Sequence, residues 1–400
     1  MYKKIKKTDK MNTTKLIASA LMAMALPAVA AEPQTGTGET DGYKLVWQDL
    51  FDGTSLNLDR WNIEVNGNGG GNNELQYYTA RLDNVRVGDD GEGNGCLILT
   101  AKREVYSGKQ FTSGRITTQE KIAFKHGKVE AAIKLPQTAN GLWPAFWMMG
   151  NDQRQVGWPA CGETDIMEFG NATGIANGTQ DRYFNGACHW GTAWNDHRQY
   201  ANAITNAYSL QDGEFHIYTC IWDEDKIEMY VDLDKYPNAT PYYRMTIPET
   251  TTDLTHPGYY FHKENFILFN LAVGGDFPGI YDPNAITALN DGNGQQQSMY
   301  VNYVKIYQKG TADETTNFAD PGDMPQGGVD GIVAGGLEIG YSVGVVTLPV
   351  AGNIQVYSAA GALVASAYGE QLSVDGLASG MYIVRAEAGG SQATRKIVVR

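Results

Sequence analysis

The sequence predicts an all-β protein in two parts, a large sandwich followed by a small one. Three observations predict it. Glycine supplies 47 of 400 residues and aromatic side chains 11%, a composition that suits many tight turns and flat ring surfaces. Short runs rich in Val, Ile, Tyr, Phe and Thr recur between Gly/Asn/Asp turns. No stretch keeps the apolar period of a long helix.

The first thirty-one residues stand apart. Lys3, Lys4, Lys6, Lys7, Lys10 and Lys15 precede an apolar run from Leu16 to Ala25, and Ala28-Val29-Ala30 follows. Basic, apolar, small is the order of a secretory signal peptide. The run is too short to span a bilayer, so export without membrane insertion is expected. That leader carries six Lys and one Asp, so its loss takes the net charge from −14 to −19. So acidic a chain repels nucleic acid and anionic membrane surfaces but not a neutral polysaccharide.

From residue 41 to 309 the chain reads as a sandwich. Its expected strands include Leu97–Lys102, Lys128–Leu135, Thr164–Phe169, Phe215–Trp222, Lys226–Val231, Phe266–Ala272 and Met299–Tyr307. Residues 310–331, polar with Pro and Gly, read as a linker. Residues 332–400 form a second unit, with strands expected at Ile354–Tyr357, Leu363–Ala367, Leu372–Val374, Met381–Ala386 and Lys396–Val399. It holds no Trp or Phe and no constellation of acids. Four cysteines (Cys96, Cys161, Cys188, Cys220) permit two disulfides in an exported protein. Buried thiols are the alternative, and Cys161–Cys188 is one candidate bridge.

The chemistry concentrates in Cys161-Gly-Glu163-Thr-Asp165-Ile-Met-Glu168. On a strand Glu163 and Asp165 share a face, but Glu168 has the wrong parity. A one-residue bulge near Ile166–Met167 would return it to that face; otherwise an unpaired charge enters the core. Two glutamates beside one bond can act as nucleophile and acid/base of a retaining glycosidase if their carboxyl groups stand ~5–5.5 Å apart. Cα atoms roughly 13 Å apart along the strand reach that only on a curved sheet. Asp165 would sit between them and steady Glu163. A solvated strand face, or a cation site, is the competing reading of the bare acids.

Neighbouring residues favour carbohydrate. Trp143 and Trp147 share parity and can offer flat faces to sugar rings; Trp158 is placed between cleft and core, and Trp222 in the core. Arg115 and the Asn72-Asn73-Glu74 loop could hold sugar hydroxyls. His189 could reach Asp165 across strands.

These residues resemble glycoside hydrolase family 16, in its laminarinase-like branch. The matching pieces run in order: Leu45-Val-Trp47-Gln-Asp-Leu-Phe51, Gly71-Asn-Asn73-Glu-Leu-Gln-Tyr-Tyr78, Ser113-Gly-Arg115-Ile, Gly141-Leu-Trp143-Pro-Ala-Phe-Trp147, Trp158-Pro-Ala-Cys-Gly-Glu163-Thr-Asp-Ile-Met-Glu168, Asn270-Leu-Ala-Val-Gly-Gly275 and Gln297-Ser-Met-Tyr-Val-Asn-Tyr-Val. The resemblance implies a concanavalin A-like curved β-jelly roll. It implies double displacement on β-1,3-glucan or mixed-linkage β-1,3/1,4-glucan, with Glu163, Asp165 and Glu168 catalytic and Trp143, Trp147, Asn73, Arg115, His189 and Trp158 binding substrate. The same fold acting on agarose, porphyran or carrageenan, or a non-catalytic glucan-binding protein, are the alternatives. No cofactor is implied for catalysis. The family's structural calcium is placed in doubt by Asn302, which stands where an Asp is common. Residues 332–400 resemble a type IX secretion sorting domain, through Gln355-Val-Tyr-Ser, Leu377-Ala-Ser-Gly-Met-Tyr-Ile-Val and Lys396-Ile-Val-Val-Arg, which would bring the export machinery as a partner of an otherwise monomeric protein.

Overall fold

The computed structural model describes residues 41–318 except 250–251, then 320, 322–323, 337 and most of 339–399. The expected leader, and the expected linker from 324 onward, lie outside the described residues.

Two sheets, of ten and nine strands, make the large sandwich. The nine-stranded sheet carries the site, and its strands are β1 (Asn62–Ile63), β2 (Arg115–Thr117), β3 (Ile122–Lys125), β4 (Leu142–Gly150), β5 (Glu163–Phe169), β6 (Tyr183–Trp190), β7 (Arg198–Thr205), β8 (Asn265–Val273) and β9 (Thr315–Phe318). They lie in the order β7-β6-β5-β4-β8-β2-β1, with β3 on β8 and β9 on β3. All of these neighbours are antiparallel.

The period of two sorts the side chains. Along β4, Leu142, Phe146 and Met148 enter the main core, while Ala145, Trp147 and Met149 join a separate apolar cluster with Cys161, Phe266 and Leu268. Both faces of β4 and β8 are covered, so every residue of each is buried. Phe146 stacks on Phe269 across the pair, rings 4.9 Å apart at 14°. Burying such a ring stabilises the fold by about 2–3 kcal/mol. These strands are the rigid floor on which the site is built.

The expected strands are present, most extended by a residue or more at an end; Leu97–Lys102 lies within Gly95–Tyr106 and Met299–Tyr307 within Gln296–Gln308. One open choice is decided and one expectation needs correction. All four cysteines are free and buried. Cys161 packs in the cluster around Trp147 and Cys188 in the main core, so no bridge joins them. Burial pushes both thiols up to about 12. The polar stretch after 309 also begins as part of the sandwich rather than as linker. Its Thr315–Phe318 pairs with β3, and Asp313 Oδ2 meets His126 Nδ1 at 2.8 Å. Further on, Asp320 and Asp323 reach Arg60 at 2.6 and 2.8 Å, and Arg60 also faces Asp49 at 3.3 Å. An edge strand exposed on one side has no need of apolar residues, which is why Thr-Thr-Asn-Phe reads as loop.

The C-terminal unit is a five-stranded sheet built on Val346, Ile354, Val356, Val384 and Ile397. The segments Leu363–Ala367 and Leu372–Val374, expected as two strands, fall largely within one, Leu363–Ser373.

Candidate active site

The site begins with the kink in β5. Against β4, Glu168 lies opposite Ala145, Met167 opposite Phe146 and Asp165 opposite Trp147, so Ile166 is the unpaired extra residue. Against β6 the register shifts in the same place, between Asp165 and Glu168. Ile166 and Met167 both enter the core, fully buried. The bulge frees the carbonyl of Ile166 from the ladder, and the buried hydroxyl of Tyr242 donates a hydrogen bond to it. The kink is therefore satisfied rather than strained. Parity is restored: Glu163, Asp165 and Glu168 all line one cavity of about 980 Å³.

Rows of side chains cross the sheet at right angles to its strands. One runs Asn270, Ala145, Glu168, Asn185; the next Leu268, Trp147, Asp165, Ala187, Ala201; the third Phe266, Met149, Glu163, His189, Gln199. Each outer acid receives an indole N–H. Trp143 donates to Glu168 Oε1 at 3.0 Å, and Trp158 donates to Glu163 Oε2 at 3.1 Å. Asn185 donates to the other Glu168 oxygen at 2.9 Å. Trp147 donates to Asn270 Oδ1 at 2.7 Å, and the Arg115 guanidinium lies 4.8 Å over its ring.

His189 Nε2 lies 3.2 Å from Asp165 Oδ2 and 3.9 Å from Glu163 Oε1. That Asp165 oxygen has no well-directed hydrogen bond, so the contact is charge proximity more than a straight bond.

All three acids are pushed up to about 8. Burial is the largest cause for each; the charge of Asp165 adds to it at Glu163 and Glu168, and His189 works against it at both. Interacting acids titrate as a set, so these values belong to the trio. The consequence is a site that retains protons near neutrality, as an acid that must protonate a leaving group requires. At Glu163 the charges of Asp165 and Glu168 add to burial while His189 and Arg115 oppose it; at Glu168 His189 and the Trp143 and Asn185 hydrogen bonds oppose it.

Glu163, Asp165 and His189 also place one ligand atom each within 4.8 Å of one another, a spacing that could hold a metal ion. The indole N–H of Trp158 occupies Oε2 of Glu163, whereas Oε1 is the oxygen that faces His189. At Asn302, where the resemblance places the family's structural calcium in doubt, the side chain is neutral and its amide Nδ2 donates to the Gly95 carbonyl at 2.9 Å, so any cation there would have only the uncharged Oδ1 of this residue to take.

Of the residues expected to bind substrate, Trp143, Trp147, Trp158, Arg115 and His189 line the cavity. Asn73 does not. Its backbone is left-handed (φ 58°), and its amide donates to Asp276 Oδ1 at 2.9 Å, while Asn72 and Glu74 line the wall in its place. Arg115 is ion-paired with Glu64, its Nε 3.1 Å from Oε1. Sequence reasoning missed Asn185, Asn270, Glu64 and Phe277, which stacks on Trp143 at 4.9 Å. Asn185 could be found only from the register that sets it opposite Glu168.

Fold and site together define a two-sheet β-sandwich with a carboxylate-lined, tryptophan-walled cleft on one face. Residues 73–256 match glycosyl hydrolases family 16. The Beta-glucanase of Rhodothermus marinus is 34% identical over 274 residues, spanning 66% of this chain and 85% of that protein. This chain belongs to that family. A Bacteroides ovatus mixed linkage glucan GH16, solved in complex with a G4G4G3G product, is 41% identical, with a TM-score of 0.57 over 66% of this chain and 100% of that one. Glucan endo-1,3-beta-glucosidase A1 of Niallia circulans is 33% identical across 67% of this chain, which spans 38% of that protein's length. Residues 334–400 match the secretion system C-terminal sorting domain, which addresses the chain to the cell surface or beyond. Among the described residues no helix is long and apolar enough to cross a membrane.

Proposed function

We propose that this chain is a retaining endo-glycosidase that hydrolyses β-1,3-linked glucan outside the cell. The observation that carries the reading is the bulged strand that aims Glu163 and Glu168 into one cleft, each held by its own indole N–H. Glu163 attacks the anomeric carbon as Glu168 gives its proton to the leaving glycosidic oxygen, forming a glycosyl ester on Glu163. Glu168, now ionised, takes a proton from water. That water attacks the same carbon, and the carboxylate of Glu163 departs. His189 and Arg115 favour the anion on Glu163 at the start and end of this cycle. Asn185 and Trp143 orient Glu168.

Mixed-linkage β-1,3/1,4-glucan is a second substrate, favoured by the 41% identity to the Bacteroides ovatus protein solved with a mixed-linkage product. Incubation with laminarin, lichenan and agarose, followed by chromatography of the oligosaccharides, tests both. Short products are expected from laminarin, and from lichenan with lower or comparable yield. Turnover of agarose alone would overturn the proposal.

A further inference from the structure

The cleft carries an aromatic wall whose outer member, Trp194, the mechanism above does not use. Trp194 is 68% exposed and lines the cavity beside Trp158, their rings 4.8 Å apart at 50°. His197 lines the same cavity, its ring 4.7 Å from Trp158, and stacks on His189 at 5.1 Å and 13°. Its Nε2 lies 2.9 Å from His189 Nδ1. A continuous set of rings therefore runs from Glu163, through Trp158, outward to Trp194.

The segment that presents Trp194 is fastened before any ligand arrives. Thr192 donates to Asp196 Oδ2 from its hydroxyl at 2.7 Å and from its backbone N–H at 3.2 Å. Arg198 donates to Asp196 Oδ1 at 2.5 Å. Gly191 adopts φ 144°, where a Cβ would run into the Asp196 carbonyl. A turn so closed fixes the backbone that presents the indole, which lowers the ordering cost of binding.

The floor beside this wall is low and uncharged. Ala187, Ala201 and Ala203 point into the cleft from β6 and β7, with Gln199 at the end of the row. Small side chains leave height for a pyranose ring, and none of these four carries a charge that a sulfate or uronate could pair with. On the far flank, Trp143 stacked on Phe277 makes a different platform beside Glu168. An apolar ring continuous with a cleft has a binding reading that a lone surface tryptophan lacks.

We infer that Trp194, braced by Trp158, is a specificity-determining platform. It stacks a neutral glucosyl ring of the polymer on the Glu163 flank, over the alanine ledge of β6 and β7. The inference rests on the β-glucan reading. Its occupant lies beyond the two sugars that flank the scissile bond, so it acts on long chains and not on short ones.

Titration calorimetry of β-1,3-gluco-oligosaccharides of three and six residues into the Glu163→Gln protein tests it, with and without Trp194→Ala. The hexasaccharide Kd is expected to weaken about tenfold in the double variant, and the trisaccharide Kd less than about twofold. Trp194→Phe should restore the hexasaccharide to within about threefold. In the otherwise unaltered enzyme, Trp194→Ala should raise KM on laminarin far more than it lowers kcat. Equal losses for both oligosaccharides, or no loss for the longer, would overturn the platform. Absence of any binding by the Glu163→Gln parent would overturn the β-glucan reading, and this inference with it.

Discussion

Replacing Glu163 by Gln is expected to lower turnover of β-glucan by about four orders of magnitude or more, because the first bond-forming step loses its nucleophile. Glu168→Gln should be as severe on the polysaccharide but not on every substrate. The proton from Glu168 is needed only where the leaving oxygen is a poor leaving group. With a dinitrophenyl leaving group the first step proceeds without it, and the glycosyl ester then waits for a base that Gln cannot supply. Azide needs no base. It should attack the ester of the Glu168→Gln enzyme and release a β-glycosyl azide. In Glu163→Ala, azide would instead enter from the vacated nucleophile side and give the α-azide. Opposite anomers from the two variants would separate the roles. The same anomer from both would remove the assignment.

The second large effect is on stability, and its sign follows from burial. The three site carboxyls, raised together from the ordinary carboxylate range to about 8 in the folded state, bind their protons more tightly in the native state. The stability this confers is complete below about pH 4.5 and disappears as pH rises through about 8. Gln at 163 carries no such dependence, and it removes one of three mutually repelling acids. Glu163→Gln is therefore expected to melt above the parent at pH 9, by on the order of 2 kcal/mol or several degrees. The gap should close on the way down to pH 4.5. A site that must hold acids out of water is one the fold would be more stable without. Scanning calorimetry at both pH values checks it; a gap that is constant, or larger at low pH, would contradict the account.

How much of this was legible in the sequence varies with the range of the interaction. Strands such as Lys226–Val231 were readable because apolar β-branched and aromatic residues between turns are a local signal. The bulge at Ile166 was also readable, since parity alone sets Glu168 against its two neighbours. What failed depends on chain segments far apart in sequence. Asn185 gains its place from the β5–β6 register. Asn73 loses its expected place because a left-handed backbone sends its amide to Asp276, some two hundred residues away. Thr315–Phe318 has no strand pattern of its own and is recruited by the free edge of β3. His197 and Trp194 are unremarkable in sequence until the turn at Asp196 folds them against Trp158.

The most direct test is to trap the covalent species. A 2-deoxy-2-fluoro β-gluco-oligosaccharide with a dinitrophenyl leaving group forms the glycosyl ester readily, but the fluorine slows its hydrolysis by disfavouring the oxocarbenium-like transition state. Peptide mass mapping after incubation is predicted to find one added glycosyl group, on Glu163. A label on Glu168, or dinitrophenol release with no labelled peptide, would contradict it.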